Sequence, residues 1–243
     1  MYHIEIKEYS KINCRKSAKG KDFWILIGMG AIGYAGQSYC FFTALTLIPP
    51  SMAAILLYLY PVFVAILSIF FLNEHFSKRK ITALILAVTG VFFVIGIKTD
   101  TNIPGTLFGV SAAVIHSIYN IVGAKVMSRN DAFTSSLVII GSAAVFYLFY
   151  NMKSGFSFPT TTASWIFVSA IALISTVVAI YTYFEGMKIT GAVNASMLST
   201  FEPVTTMILS SLFLTMIIGP LQIVGTLLIL SSAILVASKK QSD

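Results

Sequence analysis

Charge is scarce in this chain. Of 243 residues only 10% are Asp, Glu, Lys or Arg, against about 25% in an ordinary soluble domain. The remainder is 57% hydrophobic, and the mean hydropathy is +0.87. A soluble enzyme, a disordered protein and a nucleic-acid-binding protein are disfavoured together, despite a net charge of +7. Cysteine is also scarce. Cys14 and Cys40 lie far apart and neither belongs to a CxxC pair, so no disulfide framework is expected. The three histidines, His3, His75 and His116, have no metal-ligand spacing, and neither a metal nor a cofactor is expected.

What is abundant is long apolar runs. A bilayer crossing takes about 20 apolar residues, which leaves room for roughly eight crossings and no sizeable soluble domain. The runs fall near 23–45, 50–72, 81–97, 104–126, 134–150, 164–185, 192–214 and 218–238. Hydrocarbon offers the backbone no hydrogen-bond partners, and the alternating segments of a barrel are absent, so the spans are predicted to be helices. The fold expected is an all-α polytopic membrane protein. Polar breaks separate the runs: Asn73 to Lys80, Thr99 to Gly105, and Asn151 to Thr162, read as the longest loop. Residues 1–22 form a basic segment with no apolar h-region, hence not a signal peptide.

Cationic residues set the orientation. With the N-terminus inside and eight crossings, fourteen of the sixteen Lys and Arg fall on the inner side, and only Lys98 and Lys153 fall outside. Both termini are then cytoplasmic in a multi-pass protein of the cell membrane. The positive charge is spread over several membrane-side segments rather than one patch, which argues for topology and against nucleic acid.

Sliding the chain against itself gives one clear register, offset by 142. Pro61-Val62 falls on Pro203-Val204, Ile66-Leu67-Ser68 on Ile208-Leu209-Ser210, and Tyr39 and Phe42 on Tyr181 and Phe184. Residues 23–97 thus match 165–239, three spans each, and the span count makes the two halves opposite in orientation. Inverted repeats with helices interrupted at matching places characterise secondary transporters. Pro61 and Pro203 are the predicted helix breaks, each removing one backbone hydrogen bond in mid-span.

The stretch Ala44-Leu45 through Pro61-Val62 to Leu72-Asn73-Glu74, with its partner Ala195-Ser196 through Glu202-Pro203-Val204, resembles the EamA-type repeat of the drug/metabolite transporter superfamily. The resemblance covers residues 20–240. It implies ten helices in two inverted five-helix repeats, with both ends cytoplasmic, and export of a small organic metabolite, amino acid or drug-like molecule by alternating access. Against that plan, 23–97 is a partial first repeat of three helices, while 104–239 is a second repeat of five. The expectation is an incomplete 5+5 architecture, with the first two helices missing or the start placed too late. Where the first repeat has Glu74, the second has Met216.

Glu202 is the principal site candidate. An acid about ten residues into a span lies roughly 15 Å deep, where it is expected to face a cavity or a partner and is a candidate proton carrier. His116 shares a helix face with Tyr119 and Asn120, so a proton relay to Glu202 is one reading and a hydrogen-bonded packing histidine the other. Gln37 and Tyr39 in the first span, Tyr181 in the sixth, and Tyr60 and Thr200 beside the prolines are further candidates to contact a polar solute, or else to join helices. Glu185 and Lys188 are read as an interfacial ion pair. The motif Gly28-Met29-Gly30-Ala31-Ile32-Gly33 fits GxGxxG, but no acid follows at the distance a dinucleotide site requires. Its glycines, with Gly36, are expected to let neighbouring backbones approach.

Two other functions compete with a carrier. An intramembrane lipid enzyme would need a paired nucleophile and base, or clustered ligands, which the spans do not offer. A non-transporting remnant, or a membrane partner subunit, would account for the absent helices. A small-molecule substrate and the lipid bilayer are the partners expected, with a homodimer or a second membrane subunit as a further association, and no nucleic acid.

Overall fold

The computed structural model describes residues 20–74, 77–95, 102–156, 158–214 and 219–237. The basic segment before residue 20, Lys98, Met216 and the ends of the third and eighth spans lie outside these residues.

Every predicted span is helical, and each begins or ends where the sequence supplies a reason. The first rod, α1, runs over Lys21–Leu47. Pro49 is extended, and Pro50 opens α2a (Pro50–Leu57), where the missing N–H is harmless. After a turn at Tyr58 and Leu59 the chain continues as α2b (Tyr60–Phe71). Asn73, at φ 52, closes that rod. Next comes α3 (Lys78–Ile95), whose first turn is capped by Ser77 Oγ accepting from the Lys80 amide at 3.3 Å. Asn102 caps α4 (Ile103–Met127) by accepting from the Gly105 amide at 2.9 Å. Asp131 caps α5 (Ala132–Ser154) by accepting from the Thr134 amide at 2.9 Å. Thr161 caps α6 (Thr162–Thr190). Gly191, at φ 84, turns the chain into α7a (Ala192–Leu198), a 3₁₀ turn (Ser199–Phe201) and α7b (Glu202–Leu214). The last rod is α8 (Pro220–Ala237).

Five rods, over Lys21–Leu47, Met52–Phe71, Ile103–Met127, Ala132–Ser154 and Thr162–Thr190, are long and apolar enough to cross a bilayer by length and composition. The others are shorter apolar helices, interrupted, or begin with the charged run Lys78-Arg79-Lys80. Two boundaries differ from expectation. Helix α5 continues to Ser154, so the loop predicted from Asn151 is shorter, and α6 continues to Thr190 rather than stopping near 185. In both cases polar residues end the apolar run but not the helix, because an aqueous helix end tolerates them.

The 142-residue register reappears in the backbone. Helix α3 at 78–95 and α8 at 220–237 coincide under the offset. So do α2b, from Tyr60, and α7b, from Glu202. Inside α1, residues Met29–Tyr34 are wound as a π-helix, and inside α6 the π-helical stretch is Ile171–Val178, starting at the equivalent residue. Pi-bulges are rare and concentrate at functional sites, and here the two halves carry them at equivalent places.

The chain divides into two compact units, one comprising the residues up to Ala35 together with Val122–Ile189, the other Gly36–Ile121 with the residues from Thr190 onward. In the first unit α1 packs on α5. A Cβ at Gly30 would collide with Ile139 O and Ser142 Oγ, so only glycine permits this approach. Gly28 and Gly36 face open space instead, which corrects the expectation that all four glycines serve close packing. At one end of the unit Asp22 holds Arg129 at 3.1 Å and accepts from Asn130 Nδ2 at 2.8 Å. Glu185 and Lys188 form their ion pair at 3.6 Å. Neither Thr162–Ala170 nor Ile171–Val178 has a buried residue, whereas Met29 and Gly30 of the matching stretch are buried.

In the second unit α3 packs closely against α8. Gly90 meets the Gly225 carbonyl and Gly225 meets the Gly90 carbonyl. Seven residues away along each helix, Ser232 Oγ donates to the Ala83 carbonyl at 2.7 Å. The pairs 90 with 225 and 83 with 232 run in opposite senses, so the helices are antiparallel. The offset converts one pair into the other, since Gly90 corresponds to Ser232 and Ala83 to Gly225. A two-fold relation between oppositely oriented repeats produces this arrangement. Elsewhere in the unit Ala44, Ile48 and Ala53 form a small core, with Leu45, Leu56 and Phe108 packed on it.

Candidate functional site

Both rods that carry a mid-span proline are broken one turn before it. At the first, the Leu59 amide reaches back to Leu56 O at 3.3 Å, a three-residue closure, and Pro61 sits at the start of α2b. At the second, Ser199–Phe201 is a 3₁₀ turn and Pro203 follows Glu202. Proline has no amide proton and its ring crowds the preceding turn, so the chain tightens there instead of continuing as a regular α-helix. With seven α-helical residues from Ala192 and then three in the 3₁₀ turn, Glu202 lies about 16 Å along its rod.

The two breaks meet. Tyr58, buried at the first, has its hydroxyl close to the Glu202 side chain at the second. Tyr60, also buried, has its hydroxyl beside Ser199 and within 3.2 Å of the Ser196 carbonyl, to which it donates. Apart from Tyr58 the Glu202 side chain is exposed, which makes it the acidic group the site presents outward.

His116 completes the cluster from α4. Its ring meets Tyr60 edge-on at 4.5 Å and stacks on Tyr119 at 5.9 Å. Its backbone carbonyl accepts from Asn120 Nδ2 at 2.8 Å, one turn along the same face. Asn120 is completely buried and Tyr119 nearly so. Tyr60 thus touches both His116 of α4 and the Ser196 carbonyl of the second broken rod.

Of the sequence candidates, then, Glu202, Tyr60, His116, Tyr119 and Asn120 come together. Thr200 is adjacent but turned inward: buried, with its hydroxyl donating to Met197 O at 2.6 Å. Gln37, half-buried, and Tyr39, exposed, lie on α1 in the same unit. Tyr181 belongs to the other unit, where it meets Phe133 edge-on at 5.9 Å. Sequence reasoning did not place Tyr58 beside Glu202. The signal was available: in an inverted pair of repeats, equivalent breaks lie close to the two-fold axis, so residues flanking one break face residues flanking the other. Gly28, Gly30 and Gly33 lie inside α1, where the dinucleotide motif has no helix opening onto solvent.

The EamA-like transporter family matches this chain over residues 9–96 and again over 103–238, and the chain belongs to that family. It is a multi-pass helical membrane protein of a transporter family. Among curated relatives it is 27% identical to the uncharacterized transporter YetK of Bacillus subtilis, over 92% of this chain and 71% of that protein. It is 26% identical to the aromatic amino acid exporter YddG of Ancylobacter novellus, over 68% of this chain and 59% of that protein. A solved crystal structure superposes with a TM-score of 0.78 at 22% identity, covering 88% of this chain and 76% of that one, which establishes the common fold.

Proposed function

We propose that this protein is a secondary carrier that exports a small organic solute, an amino acid or a molecule of similar size, by alternating access. The observation that carries the reading is the meeting of two broken helices at equivalent places in oppositely oriented repeats, with Glu202 and Tyr58 in contact across the breaks. Interrupted helices expose backbone groups and place polar side chains at mid-depth, where carriers hold their solutes. Glu202 would engage a cationic group of the solute or carry a proton, and the rings of Tyr58, Tyr60, His116 and Tyr119 would suit a flat organic body or an ammonium group. The name of the Ancylobacter relative supports an amino acid as the first solute class to try. The Lys and Arg count supports placing both termini in the cytoplasm of a cell-membrane protein.

The test is counterflow in proteoliposomes against a panel of amino acids and metabolites, with and without a pH gradient. Wild type is expected to accumulate at least one labelled solute. Glu202→Gln is expected to abolish that flux while inserting and purifying normally, and unchanged flux in that variant refutes the role. If protons are coupled through His116, His116→Gln will abolish the response of the flux to the imposed pH gradient, and an unchanged response excludes the relay.

A further inference from the structure

A second polar site lies away from the helix breaks, where the turn between α2b and α3 meets the turn between α6 and α7a. Glu74, Ser77, Arg79 and Lys80 from the first turn, with Thr190 and Asn194 from the second, line a cavity of about 240 Å³. Ala83 and Leu235 contribute apolar wall. Lys80 Nζ and Glu74 Oε2 are 2.7 Å apart and partly shielded from solvent. Among the described lining residues, two cations stand against one carboxylate. The start of α3, capped by Ser77, adds the positive end of a helix to the same wall.

The inverted repeat supplies an internal control. Under the offset, Ser77, Arg79 and Lys80 correspond to Gly219, Leu221 and Gln222, while Thr190 and Asn194 correspond to Ile48 and Met52. At that end the described residues at the equivalent positions, Gly219, Leu221 and Gln222, carry no positive charge. Gln222 accepts from the Gly219 amide at 2.8 Å and donates to Val94 O at 3.3 Å. The fold therefore does not need the charged, hydroxyl- and amide-bearing set at the Lys80 end, and packing does not explain it. That end also belongs to the side on which the sequence gathers its Lys and Arg.

We propose that this cavity binds the phosphate of an anionic phospholipid headgroup from the adjoining leaflet. Basic pockets between membrane helices on the cytoplasmic side select such headgroups. Arg79 and Lys80 supply charge, Ser77, Thr190 and Asn194 supply neutral donors, and Ala83 and Leu235 receive the glycerol end. The proposal rests on the membrane fold and not on transport.

The test is native mass spectrometry of the protein in dodecylmaltoside, titrated with phosphatidylglycerol, phosphatidylcholine or inorganic phosphate. Phosphatidylglycerol is expected to be retained over phosphatidylcholine. Arg79→Gln should weaken retention about fivefold, the worth of one basic residue near an anionic headgroup, and Arg79→Lys should restore most of it. Lys188→Gln, an equal charge loss outside the cavity, should change nothing. Glu74→Gln removes the carboxylate and should tighten binding, a gain that a purely structural ion pair would not give. Equal retention of the two lipids, equal losses in Arg79→Gln and Lys188→Gln, or weaker binding in Glu74→Gln would overturn the proposal. Displacement of phosphatidylglycerol by inorganic phosphate at comparable concentration would make this a free-phosphate site and overturn the lipid assignment.

Discussion

Substituting Gly225 by alanine tests the seam that joins the two repeats. A Cβ at this position would lie 2.6 Å from Gly90 O, 2.8 Å from Phe93 Cβ and 2.8 Å from the Val94 nitrogen. Carbon contacts become favourable only at about 3.5 Å, so the helices must separate by roughly 0.9 Å, and a gap of that size forfeits up to about half of each contact along the seam. None of the three obstructing atoms is the far end of a flexible side chain. Overpacking of this kind costs about 1–3 kcal/mol. Alanine also brings a helix-propensity gain of up to about 1 kcal/mol, which must be subtracted before the clash is read. Gly186→Ala supplies that correction, because a Cβ there meets nothing within 4 Å. Unfolding of both variants in dodecylmaltoside micelles titrated with dodecyl sulfate measures the difference. Gly225→Ala is expected to fall about 1–3 kcal/mol below Gly186→Ala. Gly90→Ala should behave alike, since its Cβ would lie 2.8 Å from Gly225 O. The double variant should lose less than the sum, because one opening of the seam relieves both clashes. A Gly225→Ala protein as stable as Gly186→Ala would refute the close antiparallel crossing, and with it the two-fold relation drawn from that crossing.

Other measurements follow from the same geometry. Ser232→Ala removes the hydroxyl bonded to Ala83 O and should cost about 0.6 kcal/mol in the same unfolding assay, the average for such bonds in membrane helices. Gly191→Ala should destabilise by about 1–3 kcal/mol, because φ 84 with ψ 162 is glycine backbone even though the nearest obstacle, Glu74 Oε1, is an unobstructive 3.7 Å away. Tyr58→Phe removes the hydroxyl beside Glu202. It should lower solute flux while keeping the unfolding midpoint within about 1 kcal/mol of wild type, and undiminished flux would show that the contact is dispensable.

Much of the fold was legible before any coordinates. The apolar runs gave the rods because hydrocarbon leaves a backbone only its own helix to bond with. Pro61 and Pro203 gave the breaks because proline lacks an amide proton in any environment. The 142-residue register, read from a few shared residues, anticipated the matched ends of α3 and α8. Rod ends were less legible: α6 outlasted its apolar stretch, since Lys188 and Thr190 can finish a helix in water as well as leave it.

The chemistry was legible only in part. Glu202 stood out because an acid inside an apolar run needs a reason, and His116, Tyr119 and Asn120 share a face by helical spacing alone. That Tyr58 lies beside Glu202, and that Thr200 turns onto its own backbone, depends on how two separate breaks approach one another. The matched π-helical stretches were invisible, because their hydrogen-bond shift leaves no mark in composition.

The sequence by itself determined that the chain is a membrane protein of helical rods in two related halves, because these follow from solvation and local backbone chemistry. Only the tertiary structure decided which rods touch and which polar groups meet. It placed Gly90 on Gly225, Tyr58 on Glu202, and Arg79 and Lys80 across a cavity from Thr190 and Asn194. Contacts between residues more than a hundred positions apart are set by packing, and no local pattern encodes them.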